Sequence, residues 1–267
     1  MRRALIYAHY NQHNSLAGYV LYTLQAMRPS FDYIVMVSNS GLKENDKLRI
    51  ETFVDKNYER ENSGYDFGAW KDAIYSEGWE KLAAYDSLTL MNDTCFGPIY
   101  DLQAMLSSME CKNYDFWGLT NYHNKVSLKT ILKRIAGRTR PIKNHLQSYF
   151  LYFNKRVVKS QEFMDFWGQL RYHDHVLDVI MHYEEKLTAL IASAGFNWGS
   201  YIDTRQIKSK HDNLSIFHPD QLLIRGAPFI KVKSFFYNDN PKELLSLIEQ
   251  KSDYNTELIR EHLNEVF

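Results

Sequence analysis

The segment Ser87–Ile99, SLTLMNDTCFGPI, sets the strongest constraint on the fold of this chain. Leu88, Thr89, Leu90 and Met91 run without interruption into Asn92 and Asp93, and a turn with Gly97 and Pro98 follows. An apolar run of this length reads as a buried strand. A strand that stops on a carboxylate puts Asp93 at the C-terminal edge of a sheet, where open α/β sheets bind ligands. Asp93 is therefore the candidate anchor for a metal ion and a diphosphate. The competing reading makes it an ordinary turn or helix cap.

The preceding chain supplies the rest of an α/β sheet. ALIYA (4–8) is a short buried strand ending in His9, Tyr10 and Asn11. Leu16, Val20, Leu24 and Met27 share one helical face over 15–28, and Pro29 stops that helix. DYIVMVSNS (32–40) reads as a strand buried on both faces. Strand, helix, strand predicts a right-handed parallel crossover. A charged helix over 43–54 and a short strand over 56–60 follow. In ENSGYDFGAW (61–70), the turn Asn62-Ser63-Gly64 feeds a helix expected to reach Ala84, whose first N–H groups point above the sheet edge. Asp66 at that mouth suits a sugar or ribose hydroxyl, or a base N–H, better than a bare phosphate; as a plain residue it is a helix cap.

Further strands are expected over 115–120, 145–154 and 197–203, and helices over 101–109, 155–172, 176–194 and within 241–266. In the helix VLDVIMHYEEKLTALIASA, the adjacent Glu184 and Glu185 point about 100° apart. One can face a cleft while the other faces solvent.

Charge and cysteine content narrow the function. The 32 basic and 32 acidic residues balance, so no global field favours nucleic acid. Two cysteines support neither a disulfide framework nor a zinc site. The N-terminus does not read as a signal peptide and no run of apolar residues is long enough to span a bilayer, so a cytoplasmic protein is expected. The local balance breaks between Asp115 and Glu162, where there is no acidic residue. There SLKTILKRIAGRTRPIK, with Lys129, Lys133, Arg134, Arg138 and Arg140, reads as a basic amphipathic element for an anionic membrane surface or another anion. The P-loop, GxSxG, HExxH and GxGxxG patterns are missing.

Five stretches, ENSGYDFGAWKDAI, LTLMNDTCFGPI, YDFWGLT, HLQSYFLYFNKRVV and HPDQLLIRGAPFIK, resemble the rhamnan synthesis protein F family, bacterial polysaccharide glycosyltransferases of which many use dTDP-L-rhamnose. The resemblance implies a GT-A-like, Rossmann-type α/β domain over 1–240, with a mostly parallel sheet flanked by helices, and a helical extension over 241–267. It implies that His9, Tyr10, Asn11, Asn62, Gly64 and Asp66 hold the nucleotide. Asn92 and Asp93 then stand where a D-x-D motif would be, with Asn in place of the first Asp. Asp93 and a later histidine, His218, would hold Mg²⁺ or Mn²⁺. The YEEKLTALIASAGF helix is similar to the one that carries the catalytic carboxylate in family-2 transferases. Glu184 is the first candidate base, then Glu185, then Asp115. The acceptor would be lipid-linked or polysaccharide, with the protein peripheral on the inner face of the membrane. Two other readings compete: a non-catalytic sugar-nucleotide or glycan-binding subunit, and a nucleotidyltransferase. The latter wants a Gly-rich, Lys/Arg-bearing loop after the first strand, and AHYNQHNSLAG lacks it.

Overall fold

A computed structural model describes residues 1–123, 144–209, 211, 213–238 and 240–266. Its centre is an eight-stranded sheet built from β1 (Arg3–His9), β2 (Tyr33–Ser38), β3 (Lys56–Glu59), β4 (Ser87–Asn92), β6 (Phe116–Tyr122), β7 (His145–Leu146), β8 (Phe150–Asn154) and β9 (Trp198–Ile202). The order is β3-β2-β1-β4-β8-β6-β7, with β9 paired to β6. β1 pairs in parallel with β2 and β4, β2 with β3, and β6 with β9; β8 is antiparallel to both β4 and β6. The fold is α/β with a mostly parallel sheet flanked by helices.

The uninterrupted apolar strands are explained by burial on both faces. On β1, Leu5 and Tyr7 join one core while Ala4, Ile6 and Ala8 join the other. On β4, Met91 faces the first core and Leu88 and Leu90 the second. Helix α1 (Gly18–Met27) covers the first face through Val20, Leu24 and Met27. Leu244, Ile248 and Ile259 from the 241–266 helices pack into that same core. Helix α2 (Tyr65–Glu77) and the helix Gln161–Gln169 cover the second face through Phe67, Trp70, Phe163 and Trp167.

Several elements are shorter than the sequence pattern suggests. The helix expected to reach Ala84 ends at Glu77, because Gly78 takes φ +82° before a separate turn, Trp79–Leu82. The expected 145–154 strand is broken by the turn at 147–149 into β7 and β8. The 176–194 helix contains a π-helical turn, Ile180–Glu184.

Register fixes where the functional end lies. Ala8 is level with Asn92, and His9 with Ser38. Because β8 runs antiparallel, its first residue, Phe150, is level with Met91, which brings the 147–149 turn to the same edge as Asp93. A two-stranded ribbon, β5 (Cys95–Phe96) with β10 (Ile230–Lys231), closes over that edge, with Lys231 opposite Cys95.

Candidate active site

The edge of β1 and β4 is tied together by Asp93. Its Oδ2 accepts the Tyr10 N–H at 2.8 Å, its own N–H donates to the Ala8 carbonyl at 3.1 Å, and the Tyr19 hydroxyl donates to its carbonyl at 2.7 Å. One Asp93 carboxylate oxygen thus joins the chain leaving β4 to the chain leaving β1. Beside it, the Asn92 side-chain N–H donates to Asp66 Oδ2 at 2.6 Å, while Asn92 Oδ1 accepts the Thr94 hydroxyl at 2.6 Å. Burial pushes the Asp93 carboxyl up to about 8, with the Asp66 charge adding to it. Burial also pushes Asp66 up to about 6, opposed by the Asn92 hydrogen bond and reinforced by Glu184. Asp66, Asp93 and Glu184 thus share one electrostatic neighbourhood.

Asp66 is placed by a tight turn. Gly64 takes φ +75° as the α2 cap and Tyr65 φ +53°. A Cβ on Gly64 would stand 2.8 Å from the Tyr172 ring, and one on Gly68 would stand 2.3 Å from the Ser63 carbonyl oxygen. Both glycines let chain segments approach where a side chain would block them. Arg60 braces the turn through Asn39 Oδ1, the Ser63 carbonyl and Asp72. Asn62 Oδ1 is buried with no hydrogen-bond partner among the described residues.

His9 organises the mouth from below. Its ring is 2% exposed and lies 2.8 Å from the Ser38 hydroxyl. Burial holds its pKa down, from 6.5 to about 4. The unfolded chain therefore takes up a proton that the folded chain refuses until about pH 4. The His9 contribution to stability falls as pH drops from about 6.5 to 4, by on the order of 3 kcal/mol in full, against an opposite slope from the raised Asp66 and Asp93 carboxyls. The difference in urea midpoint between wild type and His9→Gln, taken at pH 7 and at pH 4.5, isolates and checks this contribution. Tyr10 is exposed and, with Asn11, His13, His262 and Glu265, lines a recess of about 190 Å³.

Glu184 reaches the same edge from the helix layer that also holds Asp66, since Tyr183, Leu187 and Ile191 pack into the same core as Phe67 and Trp70. It ends the π-helical turn, and its Oε2 accepts the Ser148 hydroxyl at 2.6 Å. The His145 Nε2 lies 3.7 Å from Oε1. Burial raises the Glu184 carboxyl, but His145, Lys231 and Ser148 outweigh it and hold the group below the usual glutamate range. It is a carboxylate kept ionised in a largely closed site, 16% exposed. Glu185 begins the next helix, Glu185–Ser193.

One expected site residue, Asp115, lies elsewhere. Asp115 immediately precedes β6, and Phe116 is level with Phe153 and hence with Leu88, so Asp115 sits at the opposite edge of the sheet. A strand of this length separates the edges by roughly 15 Å. There Asp115 accepts from the Asn154 side chain, Arg156 at 2.6 Å and the Asn197 N–H at 2.9 Å, a fastening for three chain segments and not a base. His218 joins the helices Leu214–Phe217 and Pro219–Ile224, which pack beside β10, and lines a cavity of about 540 Å³ with Asp220 and Glu243. The interactions described for Asp93 do not include it. Lys129, Lys133, Arg134, Arg138 and Arg140 lie outside the described residues.

Among the described residues, no three His, Cys, Asp or Glu side chains converge as a metal cage. The donor set nonetheless fits a small, hard cation. Asp66 and Asp93 each have one oxygen not used in the side-chain hydrogen bonds above, and Mg²⁺ or Mn²⁺ takes one or two carboxylates, completing its shell with phosphate oxygens and water. Sequence reasoning missed His145, Ser148 and Lys231. The signal for the first two was HLQSY entering a strand at the ligand edge; for Lys231 it was a lone cation after the Gly-Ala-Pro turn.

Uncharacterized protein y4gN of Sinorhizobium fredii (strain NBRC 101917 / NGR234) is 28% identical over 183 residues, 68% of this chain and 44% of that protein. The chain thus spans less than half the length of this curated relative. Among solved structures, 4-diphosphocytidyl-2C-methyl-D-erythritol synthase matches with a TM-score of 0.47 at 10% identity, over 84% of this chain and 98% of that one. The mannosyltransferase Ktr4p of S. cerevisiae, in complex with GDP, matches with a TM-score of 0.42 at 8% identity, over 74% of this chain and 69% of that one. Over residues 34–267, which take in Asp66, Asp93, Glu184 and Lys231, the sequence matches rhamnan synthesis protein F, and the chain belongs to that family.

Proposed function

We propose that this chain is a GT-A-like glycosyltransferase that moves a sugar from a nucleoside diphosphate donor, dTDP-L-rhamnose or a close relative, to a lipid-linked or polysaccharide acceptor with inversion. One observation carries the reading. An ionised glutamate, Glu184, shares a sheet edge with two further carboxylates, the half-buried Asp66 and the buried Asp93, in a member of a polysaccharide-synthesis family.

In this reading the nucleotide lies across the ends of β1 and β4, between Tyr10, Asn62 and the Gly64 turn. Asp66 and Asp93 are the residues that would hold Mg²⁺ or Mn²⁺, a Lewis acid for the departing diphosphate. Glu184 takes the proton from the acceptor hydroxyl. That oxygen attacks the anomeric carbon on the face opposite the diphosphate, whose bond to carbon breaks with the electron pair leaving on the phosphate oxygen. Ser148 and His145 hold the Glu184 carboxylate in place for that approach.

Turnover of dTDP-L-rhamnose with Mg²⁺ or Mn²⁺ tests the reading. The wild type releases dTDP, and Asp93→Ala reduces release by roughly 10²-fold or more through loss of an electrostatic anchor. Donor binding with no turnover under any metal or acceptor favours the binding-subunit reading. The latter has its own support in Asn92, which gives its amide N–H to Asp66 where a second carboxylate would stand.

Among the described residues no helix is long and apolar enough to cross a membrane. The basic 125–143 segment is proposed to bring the protein to an anionic bilayer. Replacing Lys129, Lys133, Arg134, Arg138 and Arg140 with Gln is expected to abolish most co-sedimentation with vesicles containing anionic lipid; unchanged co-sedimentation rejects the idea.

A further inference from the structure

The β5–β10 ribbon does something the donor reading alone does not require. It carries a cation over the carboxylates. Lys231 is opposite Cys95, and the Val232 N–H donates to the Thr94 carbonyl at 2.9 Å, so the ribbon is pinned directly to the chain leaving Asp93. The Lys231 ammonium lies 4.9 Å from the centroid of the Tyr149 ring, next to Ser148, the residue that holds Glu184. Among the described residues, no hydrogen bond or ion pair ties that ammonium to a carboxylate. Its charge is nevertheless felt by both Asp66 and Glu184.

An ammonium held by an aromatic face keeps its hydrogen-bond donors available. Set at the ligand edge between two groups of carboxylates, it is placed for a polyanion that enters the site. We infer that Lys231 binds the diphosphate of the nucleotide donor and stabilises the charge that develops on it when the sugar departs. The inference rests on the nucleotide-sugar reading of the site and adds to it a residue and a role. Lys231 supplies a fixed positive charge that stays in place whether or not a metal ion arrives with the donor. The Tyr149 ring positions it, and the ribbon, locked by the approach of Gly97 to Pro228 and Phe229, limits its movement.

The alternative role is purely internal. In that case Lys231 would only offset the negative charge of Asp66 and Glu184, and the diphosphate would not touch it. The two roles predict different binding behaviour, because only the first depends on the phosphates of the ligand.

Isothermal titration with dTDP, UDP and GDP, each beside its parent nucleoside and with Mg²⁺ present, separates them. For the diphosphate that binds the wild type best, Lys231→Gln is expected to weaken binding about tenfold or more, the scale of one charge-assisted hydrogen bond. Lys231→Arg stays within about threefold, and the parent nucleoside binds all three proteins alike. Thermal melting of each variant guards against a folding effect, and Lys231→Arg keeps the test open if Lys231→Gln does not fold. Diphosphate affinity unchanged in Lys231→Gln overturns the inference and leaves the nucleotide site standing. Equal losses for nucleoside and diphosphate overturn it also, since the effect then runs through the fold. A wild type that binds none of the three diphosphates overturns both this inference and the reading beneath it.

Discussion

Glu184→Gln is expected to lower the transfer rate by about 10²–10⁴-fold, the usual contribution of a positioned general base, while nucleotide affinity stays within about threefold. The amide keeps the size of the side chain and can still accept from Ser148, so the helix and the 147–149 turn keep their packing. What is lost is the negative charge that receives the acceptor proton. The wild-type group is held ionised below the ordinary glutamate range, so the acid limb of its pH–rate profile lies lower than that of a free glutamate. Removing the stabilising hydroxyl with Ser148→Ala moves that limb upward. Glu185→Gln serves as the comparison, because Glu185 starts the following helix and takes no part in the Ser148 contact. A rate for Glu184→Gln within about threefold of wild type removes Glu184 from the mechanism.

Gly97→Ala is expected to produce the largest loss of stability. Gly97 takes φ +143°, which L side chains rarely adopt, and an added Cβ would stand 2.4 Å from the Pro228 carbonyl oxygen and 2.6 Å from the Phe229 ring. A backbone oxygen cannot turn aside as a side chain can. The same turn is locked by hydrogen bonds from the Ile99 N–H to the Pro228 carbonyl at 2.7 Å and from the Thr23 hydroxyl to the Gly97 carbonyl at 2.7 Å. Strain and overpacking together cost roughly 3 kcal/mol or more, which lowers Tm by roughly 6–12 °C in a protein of this size. Because the displaced segment carries Lys231, nucleoside diphosphate affinity falls with it. Gly41→Ala is the control: its nearest neighbour would be the Asn14 side chain at 3.9 Å, and its Tm stays within about 2 °C.

The strands of this protein were legible because burial on both faces leaves an uninterrupted apolar run, as in ALIYA and YIVMVS, and such runs end abruptly where the sheet ends. The strand-end position of Asp93 followed from that. Asp115 misled because a carboxylate next to a strand identifies an edge, yet only its place before or after the strand says which edge; it precedes β6 and therefore lies away from the ligand side. The adjacency of Glu184 and Glu185 offered two candidates, and the preference for Glu184 depends on a π-helical turn and on Ser148, set by packing with no local periodic signal. Lys231 was invisible for a similar reason. A two-residue strand pairs with another two-residue strand more than a hundred positions earlier, and no pattern within so short a segment predicts that partner.

The central claim is that one sheet edge holds a nucleoside diphosphate sugar between the Asp66–Asp93 carboxylates and Lys231, with Glu184 beside the reacting carbon. A crystal structure of the protein soaked with dTDP-L-rhamnose and Mg²⁺ tests it directly. The account predicts the diphosphate at Asp93 and Lys231, the base and ribose between Tyr10 and Asn62, and an open approach from Glu184 to the anomeric carbon with room for an acceptor hydroxyl within roughly 2.6–3.2 Å of the carboxylate. A donor bound away from the ends of β1 and β4, or one whose anomeric carbon faces a different carboxylate, would contradict it.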